Sequence, residues 1–190
     1  MKIIYIDTET TGLSPVKNDI ISLGYIIEID GIVKKEGYIT MRPYSLENID
    51  KRALEINKFE LSQILNFEES TMILNKFTKE LETYINKYDK TDKFLIIGYN
   101  VNFDIDFIRN WFYKAGNPFF ASYFSAGCID VLQMINILDT LNKIDLSECK
   151  NKKLDTMCEF FEIKNNEEFH NALVDIKATK ELYLKLIKMF

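Results

Sequence analysis

The sequence predicts an α/β fold in a single domain spanning residues 1–190, on three observations. Strand-like apolar runs crowd the first fifth of the chain, helical periodicity fills most of the remainder, and no repeat, low-complexity stretch or Gly/Ser linker divides it. With 47% hydrophobic residues, including 14 Phe and 10 Tyr, the chain can fill a substantial core.

The elements follow in order. Runs at 2–7, 20–29 and 36–41 read as strands of a three-stranded antiparallel start, separated by Gly12, Pro15 and Asn18 and then by Asp30 and Gly31. Residues 69–88 carry Met72, Leu74, Phe77, Leu81, Tyr84 and Ile85 at near-helical spacing. Residues 94–97 form a short buried strand bounded by charge and Gly98, and further helices are expected at 104–115, 130–141, 152–162 and 172–190. Lysine and asparagine between 142 and 153, and again from 164 to 168, mark polar loops. The segment Gln63 to Phe67 is read as the end of a core helix.

Composition excludes several classes. A net charge of −5 and a pI of about 5.1 argue against gripping long nucleic acid by counterion release, which needs a basic surface. A phosphate partner must therefore be held locally, as divalent ions on an acidic cluster can do. The apolar runs are too short for a membrane span, and the first ten residues carry no signal-like apolar region, so a cytoplasmic protein without a membrane partner is expected. Cys128, Cys149 and Cys158 show no C-x-x-C spacing and read as reduced, packed thiols.

Three segments carry candidate chemistry. In Ile6-Asp7-Thr8-Glu9-Thr10-Thr11-Gly12, alternation along a strand puts Asp7 and Glu9 on one side and Thr8 on the other. At an effective dielectric near 20, two carboxylates ~4 Å apart repel by roughly 4 kcal/mol, so such a pair holds a cation, shares a proton, or merely opens a polar turn. Gly98-Tyr99-Asn100-Val101-Asn102-Phe103-Asp104 leaves a strand at its carboxyl end, where ligands gather in open α/β sheets. Asp104 and Asn102 can equally cap the next helix there, and Asp106 reads as a solvated acid. The third segment, His170-Asn171-Ala172-Leu173-Val174-Asp175, holds the one histidine of the chain. Five residues of continuous helix rotate two side chains by ~140°, so His170 and Asp175 can share a site only if the helix starts after the histidine. Asn171 supplies an N-cap for that start, leaving His170 on loop backbone. Taken singly, His170 also fits a surface loop residue and Asp175 an exposed first-turn acid.

Together the three segments resemble the motifs of the DEDD (DnaQ-like) superfamily of 3′-to-5′ exonucleases, in its histidine subclass, and the chain is similar to the proofreading exonucleases of bacterial DNA polymerase III. Asp7 to Gly12 matches Asp-x-Glu-Thr-Thr-Gly, Asn100 to Asp104 matches Asn-x-x-Phe-Asp, and His170 with Asp175 matches the third motif. The region from Tyr38 to Ile64, with Pro43, Ala53, Ile56 and Phe59, and the segment Asp130-Val131-Leu132 also resemble family members. Tyr99 stands where many relatives carry histidine, and the resemblance runs to Phe190 without a polymerase-binding tail.

The resemblance implies an RNase H-like fold, a five-stranded mixed sheet with strand two antiparallel to the rest and helices on both faces. It implies that Asp7, Glu9, Asp104 and Asp175 hold two Mg²⁺ or Mn²⁺ ions, with Asp7, Glu9 and Asp175 on the first, Asp7 bridging to the second, and Asp104 acting mainly through water. His170 is then the general base. Thr10, Thr11 and Gly12, with Leu13, Asn100 and Phe103, would meet the substrate terminus, although core packing accounts for Leu13 and Phe103 as well. The implied activity is metal-dependent release of 5′-mononucleotides from DNA 3′ ends, single-stranded ends preferred, in proofreading or repair, alone or beside a DNA polymerase. An RNA-directed exonuclease and a non-catalytic polymerase accessory module are the alternatives.

Overall fold

A computed structural model describes residues 1–163 and 171–190. Its strands are β1 (Lys2–Thr10), β2 (Ile20–Ile29), β3 (Ile32–Thr40), β4 (Phe94–Gly98) and β5 (Phe124–Asp130). Its helices are α1 (Lys51–Asn57), α2 (Leu61–Leu65), α3 (Ser70–Leu81), α4 (Asn102–Lys114), α5 (Phe120–Tyr123), α6 (Val131–Thr140), α7 (Leu154–Phe160) and α8 (Ala172–Leu186), the last followed by a 3₁₀ turn at Ile187–Met189.

The five strands form one sheet in the order β3-β2-β1-β4-β5. β2 runs antiparallel to β1 and β3, while β1, β4 and β5 are parallel, so β2 alone opposes the rest, as the RNase H-like fold requires. Alternation along β1 distributes the core. Ile4 and Ile6 join Leu23, Tyr25 and Phe94 under α3 and α4, where Phe77, Phe107 and Trp111 are buried. Ile3 and Tyr5 face the other way, against Ile135 of α6, Met157 of α7 and Ile176 and Leu182 of α8. The sheet is thus covered on both faces, as expected for its parallel part.

Where the structure departs from the sequence expectations, local chemistry explains it. The helix expected at 69–88 stops at Leu81, and the Thr83 hydroxyl donates to the Glu80 carbonyl in the turn that follows. Thr, Tyr, Ile and Asn at 83–86 are weak helix formers, yet Ile85 still reaches the core. Asp130 is the last residue of β5 and caps α6 by accepting from Leu132 N at 3.0 Å, so it precedes the helix expected to include it. Periodicity does not mark β5, because Ser125, Ala126 and Gly127 on this edge strand give no apolar alternation. The short helices α1 and α5 have no sequence signal, being seven residues or fewer. Ile64 is fully buried, which fits Gln63 to Phe67 as a core helix end. Cys128, Cys149 and Cys158 are free, and among the described residues no helix is long and apolar enough to cross a membrane.

Candidate metal centre

Strand alternation sets the site. Ile3 and Tyr5 pack toward α8, and the same face of β1 carries Asp7 and Glu9 beyond the end of the apolar run. Across the ladder, Asp7 pairs with Gly24 and Glu9 with Ser22. Gly24 admits the start of α8: a Cβ there would lie 2.2 Å from the Ala172 carbonyl oxygen and 2.6 Å from Leu173 N. α8 begins at Ala172, as the sequence predicts, with the Asn171 side chain accepting from Leu173 N at 3.0 Å. One turn on, Asp175 comes down beside the strand carboxylates. Ligand oxygens of Asp7, Glu9 and Asp175 lie within 4.8 Å of one another.

Asp104 arrives from the other face of the sheet. Thr8 points toward α4, and both its amide (2.9 Å) and its hydroxyl (2.7 Å) donate to one Asp104 oxygen. That grip places the carboxylate in the first turn of α4, 4% exposed, close enough to Asp7 for their charges to interact. The site therefore straddles the end of the sheet, with three acids on the α8 side and one on the α4 side. Asp106 stays exposed and takes no part, as expected.

Burial pushes these carboxyls up, and mutual repulsion adds to it. Glu9 rises to about 8 through burial and then the charges of Asp175 and Asp104. Asp104 rises to about 7 through burial, with the Thr8 hydrogen bonds opposing the rise. Asp7 is held well above the usual carboxylate range by burial and by Asp104, Asp175 and Glu9. No lysine or arginine among the described residues pairs with Asp7, Glu9 or Asp104. Converging oxygen donors without a cationic side chain suit a hard divalent ion, so the residues present fit the expected metal.

The loop after β1 is tied by a network of hydrogen bonds. The Thr10 hydroxyl donates to the Gly12 carbonyl (2.7 Å), Thr11 N to the Asp19 carbonyl (2.8 Å), and the Thr11 hydroxyl accepts from Asp19 N (2.9 Å). Asn57 of α1 donates to the Thr10 carbonyl at 2.9 Å. A Cβ on Gly12 would meet the Asn18 amide at 2.6 Å, and Asn18 in turn accepts from Ser14 N at 2.9 Å. Leu13, at the tip, is 84% exposed and packs in no core. Asn100 adopts a left-handed conformation (φ 54°) that asparagine tolerates, and its amide donates to Asp130 at 2.9 Å. Phe103 is half-buried with its ring 4.8 Å from Phe107. The hydroxyl of Tyr99 donates to the Lys152 carbonyl, so this side chain ties β4 to the loop before α7. His170 lies outside the described residues.

Sequence reasoning missed Thr8 and Gly24. The signal for Thr8 was its alternation with the two acids, which aims it at whatever covers the opposite face. Nothing in the sequence marks Gly24, whose role comes from a helix 148 positions away at Ala172. Gly24→Ala is expected to cost about 1–3 kcal/mol, lowering Tm by about 2–4 °C per kcal/mol, and to weaken divalent-ion binding by displacing Asp175. Thermal denaturation with and without Mn²⁺ checks it; an unchanged Tm would mean the backbone yields freely there.

A family model described as an exonuclease, RNase_T, matches residues 4–183. The chain is 28% identical over 189 residues to a DNA polymerase III PolC-type of Caldanaerobacter subterraneus subsp. tengcongensis, covering 97% of this chain and 11% of that protein. It is 27% identical over 186 residues to DNA polymerase III subunit epsilon of Buchnera aphidicola subsp. Schizaphis graminum, covering 96% and 73%. Among solved structures, E. coli exonuclease I in complex with a dT13 oligonucleotide superposes with TM-score 0.77 at 17% identity, covering 98% of this chain and 40% of that one. The nuclease domain of 3′hExo, a DEDDh family member bound to rAMP, gives 0.73 at 15% identity, covering 98% and 92%. These two likenesses establish the fold, and the chain spans about 11% of the PolC-type relative it matches.

Proposed function

The chain belongs to the exonuclease family, within the DEDD (DnaQ-like) superfamily of hydrolytic 3′-to-5′ exonucleases, and on that premise we propose that it releases 5′-mononucleotides from single-stranded DNA 3′ ends with two Mg²⁺ or Mn²⁺ ions. The observation that carries this reading is the convergence of Asp7, Glu9 and Asp175 within 4.8 Å, with Asp104 approaching from the α4 side.

Asp7, Glu9 and Asp175 would hold the first ion, Asp7 would also serve the second, and Asp104 would act mainly through water. When bound, such ions lower the pKa of water and neutralise charge on the phosphate. The remaining work falls to the chain itself. The hydrogen-bonded Thr10–Gly12 backbone orients the terminal nucleotide, exposed Leu13 wedges against its base, and Phe103 helps form the pocket for it. Asn100 sits at the exit of β4. A paired terminus must first be unstacked at a cost of a few kcal/mol, which favours single-stranded ends. His170, next to the Asn171 cap in sequence, takes a proton from the attacking water, since an imidazole with pKa near 6.5 is a free base at neutral pH. The rate therefore rises with pH through the histidine pKa. His170→Ala is expected to lower kcat by about 10²–10⁴-fold and to flatten that limb; an unchanged profile removes the general-base role.

The relatives named as DNA polymerase III support DNA as substrate and a polymerase as partner. One observation favours the RNA-directed alternative, the rAMP bound to the 3′hExo nuclease domain. Digestion of matched 5′-labelled DNA and RNA oligonucleotides separates the two: faster loss of DNA supports the proposal, and faster loss of RNA replaces it. Retention of all four acids argues against a non-catalytic module.

A further inference from the structure

A second cleft lies at the opposite end of the sheet from the acids. It has a volume of about 840 Å³ and opens where the parallel strands begin, at Lys2 of β1, Lys93 and Leu95 beside and in β4, and Phe124 to Ala126 of β5. Nothing in the proposed nuclease chemistry uses it.

Three properties coincide there. The floor is apolar, made by Leu95, Pro118, Phe120 and Phe124. The rim is basic in a protein of net charge −5, with Lys2, Lys90, Lys93 and Arg109 lining the opening. Lys2 is neutralised by Asp92 at 2.5 Å, and Lys93 donates to the Ala121 carbonyl. Asp89, the other acid of that loop, is occupied by Thr91. Arg109 instead stacks 5.1 Å over the Phe120 ring, and neither Arg109 nor Lys90 has a carboxylate partner among the described residues.

The third property is an open strand edge. β5 ends the sheet order, so among the described residues its outer side pairs with no other strand. Phe94 pairs with Phe124 and Ile96 with Cys128, which leaves Ser125, Ala126 and Gly127 opposite the single residue Leu95. This bulge interrupts the ladder with β4 along a short stretch of β5. Its side chains are small, Ala126 and Gly127 are exposed, and a Cβ on Gly127 would meet nothing within 4 Å. Short length and curvature keep the edge from pairing with a long strand, but a few extended residues can still add to it.

We propose that this cleft docks an acidic peptide segment of a partner protein, extended along the outer edge of β5, with an apolar side chain on Phe120 and Phe124 and its carboxylates on Arg109 and Lys90. Charge complementarity selects an anion, and the open main-chain edge selects a peptide over a nucleic-acid strand, which has no backbone ladder to offer. The inference is independent of the nuclease reading, because the two sites occupy opposite ends of the strands.

The test is fluorescence anisotropy of the full chain with a short dye-labelled peptide alternating Asp with Phe. Saturable binding is expected, weakened about tenfold or more by Arg109→Glu and by Lys90→Glu and weakened by added salt. Both variants should digest a labelled oligonucleotide at the parent rate. Lys90 is exposed, so its variant keeps the test decisive if replacing Arg109 disturbs the Phe120 stack. No saturable binding, binding by both variants as tight as by the parent, or equally tight binding of the Asn-for-Asp peptide would overturn the proposal. Displacement of the peptide by a single-stranded oligonucleotide, lost in the same variants, would reassign the cleft to nucleic acid.

Discussion

Asp7→Asn is expected to abolish nuclease activity while making the metal-free protein more stable. Asp7 sits at the meeting point of the acids, its pKa raised by burial and then by Asp104, Asp175 and Glu9. Replacing it with a neutral amide of the same shape removes a ligand for both proposed ions and relieves the repulsion among the rest. A loss of about 10³-fold or more in kcat, ~4 kcal/mol of transition-state stabilisation, is expected. At pH 8 without metal, the variant should gain about 1–3 kcal/mol, raising Tm by about 2–4 °C for each. Opposite signs in the two readouts separate a functional acid from a structural one, because a structural carboxylate would lower both. Single-turnover digestion of a labelled oligonucleotide and a thermal melt of the same preparation check it.

The second large effect is a pH dependence opposite to that of a salt-bridged acid. Glu9 is raised to about 8 and Asp104 to about 7 in the folded chain, whereas ordinary carboxylates release their protons near 4 once unfolded. Between those limits the folded state binds more protons than the unfolded state, so stability falls as pH rises from about 4 to about 8. The total change is on the order of several kcal/mol for the metal-free protein. A divalent ion that binds only the folded state reverses it, adding ~2.7 kcal/mol at one hundred times its Kd, and more effectively at high pH, where the ligands are already ionised. Urea unfolding across this range, with chelator and with Mg²⁺, gives both curves. A metal-free protein that gains stability toward pH 8 would show that the acids are solvated or paired and not pressed together.

Much of this was legible in the chain because two periodicities carry it. Period-two alternation places Asp7 and Glu9 on one face, and Asn171 as an N-cap predicts the start of α8 at Ala172. The resemblance to a family supplied the fifth strand, which periodicity missed because Ser125, Ala126 and Gly127 have nothing to bury. What stayed hidden depends on contacts between distant segments. Thr8 holds Asp104 across 96 positions, and Gly24 makes room for Ala172 across the sheet. Leu13 could be read either as core or as a substrate contact, and its 84% exposure removes the core reading. Tyr99 looked like an altered site residue, yet its hydroxyl serves the loop at Lys152.

The central claim is that anions from three separated segments are folded together to hold divalent ions. Anomalous diffraction from crystals soaked in Mn²⁺ tests it most directly. Manganese peaks among Asp7, Glu9 and Asp175, with Asp104 alongside, are the predicted result. Peaks elsewhere, or those carboxylates spread apart with no ion between them, would contradict it.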